Sequence, residues 1–85
     1  MRQFSYTLTL DESLHSRHMG RLRKEASRFS SHVRLKNGID EAALEDLRTG
    51  AELRMQRGSC ITVSAEGVDE EAAIAAIQTY FVANM

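Results

Sequence analysis

The spacing of apolar residues changes several times along the chain, and these changes constrain the fold more than any other feature. In residues 4–10, FSYTLTL, every second residue is apolar, which is typical of a strand with one buried face. From residue 16 the apolar positions follow the spacing of an amphipathic helix. That stripe consists of Met19, Leu22, Ala26 and Phe29. The change of period predicts an α+β fold in which strands and helices share one core.

A β-hairpin is predicted after the first helix. Alternation resumes in SSHVRLKNG, residues 30–38, with Val33 and Leu35 facing inward. Asn37-Gly38 is a preferred two-residue hairpin turn, and it leads into a short strand over residues 39–42.

Two helices and one strand complete the predicted order. Asp46 opens and caps a helix through Leu53, which Gly50 weakens. Residues 59–67, SCITVSAEG, are a predicted strand, and Asp69 caps a last helix with an acidic first turn. The buried stripe of that helix is Ile74, Ile77, Phe81 and Met85. The order β-α-β-β-α-β-α predicts one domain over residues 1–85, a four-stranded antiparallel sheet with three helices on one face.

The basic residues are concentrated in the first part of the chain. Residues 1–36 hold eight Lys and Arg against three acidic residues, although the net charge of the chain is −1. Five of the eight lie in residues 17–28, so the first helix should present a positive face. Such a face is a solvated surface, or it binds an acidic protein or nucleic acid. Because most of the five aromatic residues belong to the predicted core, few stacking platforms remain, and we predict no nucleic-acid partner.

Length and composition exclude several other classes of protein. The 85 residues bury one core layer without room for a deep active site, so any chemistry is expected at the surface. The single Cys60 excludes an internal disulfide and a four-cysteine zinc site. No apolar run approaches the roughly 20 residues of a membrane helix, and the N-terminus lacks the apolar block of a signal peptide. We predict a cytoplasmic protein without membrane insertion and without a cofactor.

Two of the three histidines lie in SLHSRHMG, residues 13–20, with an arginine between them. His15 falls at the predicted start of the first helix, where the backbone N–H groups of Ser16, Arg17 and His18 can bind an anion such as phosphate. The helix dipole disfavours the imidazolium form and leaves a neutral, nucleophilic ring. The guanidinium of Arg17 can hold a phosphoryl oxygen. These residues indicate a phosphoryl-accepting histidine, although a histidine at a helix start also occurs without any special function.

The same two histidines raise the question of a metal site. His15 and His18 are three residues apart, a spacing that zinc ligands use. Since Asp11 and Glu12 are the only further ligands nearby, we predict no metal site.

The whole chain resembles the HPr family, the histidine-containing phosphocarriers of the bacterial phosphoenolpyruvate:sugar phosphotransferase system. LHSR at the start of a helix, NG at the hairpin, GSCITVSAEGVDEEAA near the end and the order of elements carry the resemblance. It implies an open-faced β-sandwich in which enzyme I phosphorylates His15 on Nδ1. The phosphoryl group then passes to an enzyme IIA-type protein with the help of Arg17. The chain is thus expected to be a carrier and not an enzyme.

The resemblance also implies where partners dock. In the family they bind the first and second helices, on an apolar patch ringed by basic residues. The matching positions are Arg17, Gly20, Arg21, Lys24, Leu47, Arg48 and Ala51. Arg48, Gly50 and Ala51 stand where the family tends to have larger apolar groups, so weaker binding to generic partners, or binding to different ones, is expected.

Three further residues depart from the family pattern around His15. His18 stands where the family usually has proline, which restores a backbone N–H and adds a second titratable ring. It is either a tolerated surface change or part of a modified phosphohistidine site. Asp11 and Glu12 place two carboxylates beside His15, which should raise its pKa and destabilise phosphohistidine.

Asp46 occupies a position at which many Gram-positive relatives carry a regulatory serine. Phosphorylation of that serine hinders transfer from enzyme I and promotes binding to a catabolite control regulator. Asp46 excludes this control, and either caps a helix or partly mimics phosphoserine with its charge. A regulatory binding module on the same scaffold, with a transcriptional regulator as partner, therefore stays open as an alternative function.

Overall fold

One antiparallel sheet with helices on a single face forms the fold. The structure, a computed structural model, describes residues 1–9, 15–47 and 51–85. The strands are β1 (Arg2–Thr7), β2 (His32–Asn37), β3 (Asp40–Ala43) and β4 (Cys60–Glu66). The α-helices within the described ranges are α1 (His15–Ala26) and α2 (Glu70–Asn84). This is the predicted α+β fold with its four-stranded antiparallel sheet.

The strand order β1-β4-β2-β3 places the last strand in the interior of the sheet. β4 pairs with β1 from Arg2 opposite Ala65 to Thr7 opposite Cys60, and with β2 on its other side. β2 and β3 form the predicted hairpin. Closing β4 between β1 and β2 joins distant parts of the chain and builds one continuous apolar face.

The period of two predicted for the strands is confirmed by their burial. Ile61, Val63 and Ala65 of β4 are fully buried, whereas Thr62 and Ser64 on the opposite face are partly exposed. Val33 and Leu35 of β2 are buried in the same way. One face of the sheet therefore supplies the core and the other faces solvent, as expected of an open-faced antiparallel sheet.

The two helices cover the apolar face of the sheet. Met19 and Leu22 of α1 are fully buried, as are Ile77 and Phe81 of α2. The Phe81 ring packs edge-on against the rings of Phe4 and Tyr6 in β1, with ring centroids 5.6 Å apart in both pairs. These contacts hold α2 across β1. The predicted stripes are confirmed in part: α1 ends at Ala26, before Phe29, and Ala26, Phe29 and Ile74 are only partly buried. No helix in the described part of the chain is long and apolar enough to cross a membrane.

The predicted hairpin turn is displaced by one residue. Asn37 pairs with Asp40, so the two turn residues are Gly38 and Ile39 rather than Asn37 and Gly38. Gly38 has φ of +65°, and a glycine at the first turn position is the requirement of a type II′ turn. Asn37 instead donates from Nδ2 to the carbonyl of Leu53 at 2.7 Å, which ties the hairpin to the segment that precedes β4.

The third helix, predicted from Asp46 through Leu53, is not confirmed. The described residues of this region form two 3₁₀ turns, Leu44–Asp46 and Ala51–Leu53, while residues 48–50 lie outside the described part. Asp46 is the last residue of the first turn, so the prediction that it caps a helix is not confirmed.

Asp69 directly precedes α2, as predicted, but its carboxylate does not cap that helix. Oδ1 accepts hydrogen bonds from the backbone N–H of Ser31 at 2.9 Å and from its hydroxyl at 2.5 Å, and Oδ2 accepts from the N–H of Ser30 at 2.8 Å. The bonds reach across to the α1–β2 connection. Gly67 fits closely here, because a Cβ at that residue would lie 2.7 Å from the Cα of Ser31.

These hydrogen bonds predict a pH dependence of stability. The Ser31 hydroxyl, followed by the N–H of Ser30, holds the pKa of Asp69 below its ordinary value. A carboxyl group whose pKa falls on folding stabilises the native state above its unfolded pKa, about 3.9 for aspartate. That stabilisation is lost as the pH falls through the lower, folded value. We therefore expect Asp69→Asn to lower the free energy of unfolding at pH 7 and to have little effect at pH 2.

Urea unfolding of wild type and Asp69→Asn between pH 7 and pH 2 measures this dependence. Asp46→Asn is the matched control, since it makes the same chemical change at an exposed carboxylate. A constant difference between Asp69→Asn and wild type over this pH range would contradict the prediction.

Candidate functional site

Helix α1 begins at His15, as the sequence predicts. An α-helix leaves the N–H groups of its first turn without intrahelical acceptors, and its dipole makes this end positive. Ser16 and Arg17 are the second and third residues of the helix, and His18 is the fourth. The start of α1 thus carries the predicted phosphoryl acceptor next to backbone groups that favour an anion.

The chain that leads toward His15 is fixed by backbone hydrogen bonds. The N–H of Leu8 donates to the carbonyl of Ser59, and the N–H of Gly58 donates to the carbonyl of Leu8, both at 2.8 Å. The N–H of Thr9 donates to the carbonyl of Met85, the last residue, again at 2.8 Å. Thr9, the last described residue before α1, is therefore attached to the C-terminal end of α2.

His18 also connects the start of α1 to α2. Its Nδ1 lies 2.8 Å from the hydroxyl of Tyr80, and the two rings meet edge-on with centroids 5.9 Å apart. Burial raises the pKa of the Tyr80 hydroxyl, while the positive charge of Arg21 opposes that rise. The hydroxyl therefore stays protonated near neutral pH. His18 is partly buried and hydrogen-bonded, so it belongs to the packing between the two helices. Both interpretations of this substitution, a tolerated surface change and part of a modified phosphohistidine site, stay predictions.

A positive surface extends along α1 from the first turn. Arg17, Gly20, Arg21 and Lys24 are exposed, which agrees with their predicted place on a docking surface. Arg23 on the same helix is directed inward, where its guanidinium donates to the carbonyl of Leu47. The helix thus uses one arginine to hold the neighbouring segment and leaves the other cations on the surface.

The prediction that Leu47 belongs to the docking patch is wrong. Its side chain is fully buried in the core, so it contributes no apolar surface. Leu47 directly follows the first 3₁₀ turn, and its carbonyl accepts a hydrogen bond from Arg23 of α1 while its side chain packs in the core. Asp46 is exposed next to it, Ala51 begins the second 3₁₀ turn, and Arg48 lies outside the described residues.

Metal binding has no support from the described residues. Within residues 1–9, 15–47 and 51–85 no three His, Cys, Asp or Glu residues are grouped as a metal site requires. Asp11 and Glu12, which were considered as additional ligands and as neighbours of His15, lie outside this part of the chain. Nδ1 of His18, one of its two possible ligand atoms, already contacts Tyr80.

Tyr80 is the residue of this site that the sequence analysis did not identify. It lies beside the predicted buried stripe of α2, next to Phe81, and 62 residues separate it from His18. The available signal was chemical: a tyrosine at the border of a buried stripe usually needs a hydrogen-bond partner for its hydroxyl. The sequence does not indicate which residue that partner is.

Comparison with known proteins places this fold and site in a family. A sequence profile described as "PTS HPr component phosphorylation site" matches residues 2–83. The phosphocarrier protein HPr of Mycoplasma capricolum is 33% identical over 78 residues, 92% of this chain and 88% of that protein. HPr of Haemophilus influenzae is 34% identical over 61 residues, 72% of each chain. The structure of a mycoplasma histidine-containing phosphocarrier superposes with a TM-score of 0.87 at 30% identity, covering 96% of this chain and 93% of the other.

The fold is that of a phosphocarrier domain. The chain belongs to the HPr family of the phosphotransferase system. It is a phosphocarrier and not a catalytic enzyme, as the sequence predicted.

Proposed function

We propose that this chain accepts a phosphoryl group on His15 from phosphorylated enzyme I and passes it to an enzyme IIA-type protein. The observation that carries the proposal is the start of α1 at His15, within a fold matched to HPr over residues 2–83. The family resemblance assigns the reacting atom, Nδ1 of His15. The cytoplasmic location predicted above is part of this proposal.

The transfer exchanges one bond of phosphorus for another. As Nδ1 of a neutral His15 ring attacks, the bond between phosphorus and the donor breaks, and the electron pair of that bond stays with the donor. Free N–H groups at the helix start, among them those of Ser16 and Arg17, stabilise the negative phosphoryl oxygens. The N–H of His18, the fourth residue of α1, is also part of this proposal. The reverse exchange delivers the group to the acceptor.

Docking of these partners is proposed on the exposed cations of α1. Arg17, Arg21 and Lys24 lie on its surface, beginning two residues after His15. A partner with an acidic rim would be guided toward His15 by these charges, which speeds encounter and favours short-lived complexes. Because Leu47 is buried, the apolar part of the interface is smaller than the sequence predicted. The proposed complexes therefore depend on charge to an unusual degree.

The proposal is tested by incubating the protein with phosphoenolpyruvate and enzyme I of the same organism. We expect one acid-labile phosphoryl group per chain, mapped to His15 by peptide analysis under neutral conditions. Omission of enzyme I should abolish the modification. Failure to form any phosphoryl species with active enzyme I would contradict the carrier function.

A regulatory module is the second candidate function. It is favoured by Asp46, whose exposed carboxylate belongs to a 3₁₀ turn that contacts α1. In that case the protein would bind a transcriptional regulator, and phosphorylation of His15 would be secondary or absent. Binding to such a regulator that is weakened by Asp46→Asn and independent of phosphoenolpyruvate would favour this function.

A further inference from the structure

We propose that Tyr80 is a positioning residue for phosphoryl transfer, acting through His18 to hold the start of α1 where His15 can react. This inference rests on the proposed function of His15. The pair joins the fourth residue of α1 to α2 by a hydrogen bond of 2.8 Å and an edge-on ring contact. Since His18 follows His15 by one helical turn, a constraint on its ring limits movement of that turn.

The chain on the other side of His15 is attached to the same end of α2. Thr9 donates its N–H to the carbonyl of Met85, and Met85 donates its own N–H to the carbonyl of Phe81, both at 2.8 Å. The side chain of Asn84 donates to the carbonyl of Tyr80 at 3.2 Å. The C-terminal end of α2 is therefore linked to the segment before His15 through Met85 and to the segment after it through Tyr80.

His18 and Tyr80 can form a hydrogen bond whether the His18 ring is neutral or protonated. When the ring is neutral, the Tyr80 hydroxyl donates to Nδ1, and the ring proton resides on Nε2. When the ring is protonated, Nδ1–H donates to the oxygen of Tyr80. The raised pKa of Tyr80 keeps its proton available for the first arrangement. The link therefore holds in both charge states of His18.

Position matters here because the reaction needs the acceptor nitrogen in line with the donor bond. A misplacement of about 1 Å can reduce a rate by about 100-fold. Loss of one hydrogen bond should loosen the first turn of α1 and displace it by less than about 1 Å. We therefore expect a decrease in kcat of roughly 3- to 10-fold. The docking cations are unaffected, so the KM of enzyme I for this protein should stay within a factor of about two.

Two substitutions remove the link in different ways. Tyr80→Phe keeps the ring contact and deletes the hydroxyl. His18→Leu removes the nitrogen, whereas His18→Asn has the same size as leucine and places an amide atom where Nδ1 lies. Leucine is the better helix former of the two, so a defect confined to His18→Leu does not arise from helix propensity. Tyr6→Phe is the matched control, since it deletes the hydroxyl of a tyrosine that packs against the same helix through Phe81 but is not part of the hydrogen bond between His18 and Tyr80.

The experiment measures initial rates of His15 phosphorylation by enzyme I and phosphoenolpyruvate over a range of carrier concentrations, with all variants shown to be folded by circular dichroism. The expected result is a lower kcat for Tyr80→Phe and His18→Leu, recovery in His18→Asn, and no change in Tyr6→Phe. The double variant should be no slower than either single one. A changed NMR chemical shift of the His15 ring in Tyr80→Phe should accompany the lower kcat.

Three outcomes would overturn the inference. Wild-type kcat in Tyr80→Phe shows that the hydrogen bond does not position His15. A defect that is equal in His18→Leu and His18→Asn shows that the imidazole acts in some other way. If wild type itself is not phosphorylated on His15, the proposed function fails together with this inference, whereas the first two outcomes leave that function intact.

Discussion

Replacing His15 by alanine is expected to abolish phosphoryl acceptance from enzyme I. The chain contains three histidines, and His15 alone begins an α-helix. The other two are poorly placed for the reaction. Nδ1 of His18 is hydrogen-bonded to Tyr80, and His32 is the first residue of β2, paired with Glu66 of β4. The acid-labile phosphoryl group should therefore be absent from His15→Ala, as measured by intact mass and by release of phosphate in acid.

The control for this result is His32→Ala. His32 is exposed and belongs to the sheet rather than to the start of α1, so its loss should leave the rate of phosphorylation unchanged. Both variants should unfold at urea concentrations close to that of wild type. Retention of the phosphoryl group in His15→Ala, or its transfer to His18, would assign the acceptor to a different residue and contradict the mechanism.

Local periodicity in the sequence was sufficient to predict most of the fold. The two-residue period depends only on which face of a strand is buried, and the helical period only on which stripe meets the sheet. Each period can therefore be recognised within a single segment. Residues 61–65 show the strand period, and the stripe that contains Ile77 and Phe81 shows the helical period. The order of these segments, together with antiparallel pairing, then defined the sheet with its covered face.

Features that depend on contacts between distant segments were predicted less well. Asp69 has the sequence signature of a helix cap, yet its carboxylate binds Ser30 and Ser31, which are 39 and 38 residues away. Asn37 could supply the hairpin turn, but pairing with Asp40 and a hydrogen bond to Leu53 keep it in the strand. In both cases a polar side chain could serve the adjacent helix or turn, or bind a segment distant in sequence. Only the tertiary structure determines which of the two occurs.

The candidate site shows the same division. The position of His15 at a helix start follows from the change of period near residue 16, which is a local signal. The hydrogen bond between His18 and Tyr80 depends on how α1 lies against α2, and no pattern within either helix contains that information. A docking surface and a core both use apolar residues such as leucine. The sequence alone therefore could not show that Leu47 belongs to the core.

Truncation of Phe81 is expected to cause the largest loss of stability among single changes in α2. Its side chain is fully buried and packs edge-on against Phe4 and Tyr6, so alanine would leave a cavity between α2 and β1. Phe→Ala changes in cores cost about 3–5 kcal/mol. A chain of this length has a total free energy of unfolding of about 4–13 kcal/mol. Phe81→Ala should therefore lower the melting temperature by on the order of 20 °C.

Urea unfolding followed by circular dichroism measures the loss, and an unchanged m-value would show that the same surface is exposed on unfolding. Val82→Ala is the control, since Val82 follows Phe81 in α2 but is 66% exposed, and a change within about 0.5 kcal/mol is expected. A cost below about 1.5 kcal/mol for Phe81→Ala would contradict the packing of α2 on β1. It would also remove the basis for placing Tyr80 against the first turn of α1, because Tyr80 and Phe81 are adjacent on one helix and the position of one fixes that of the other.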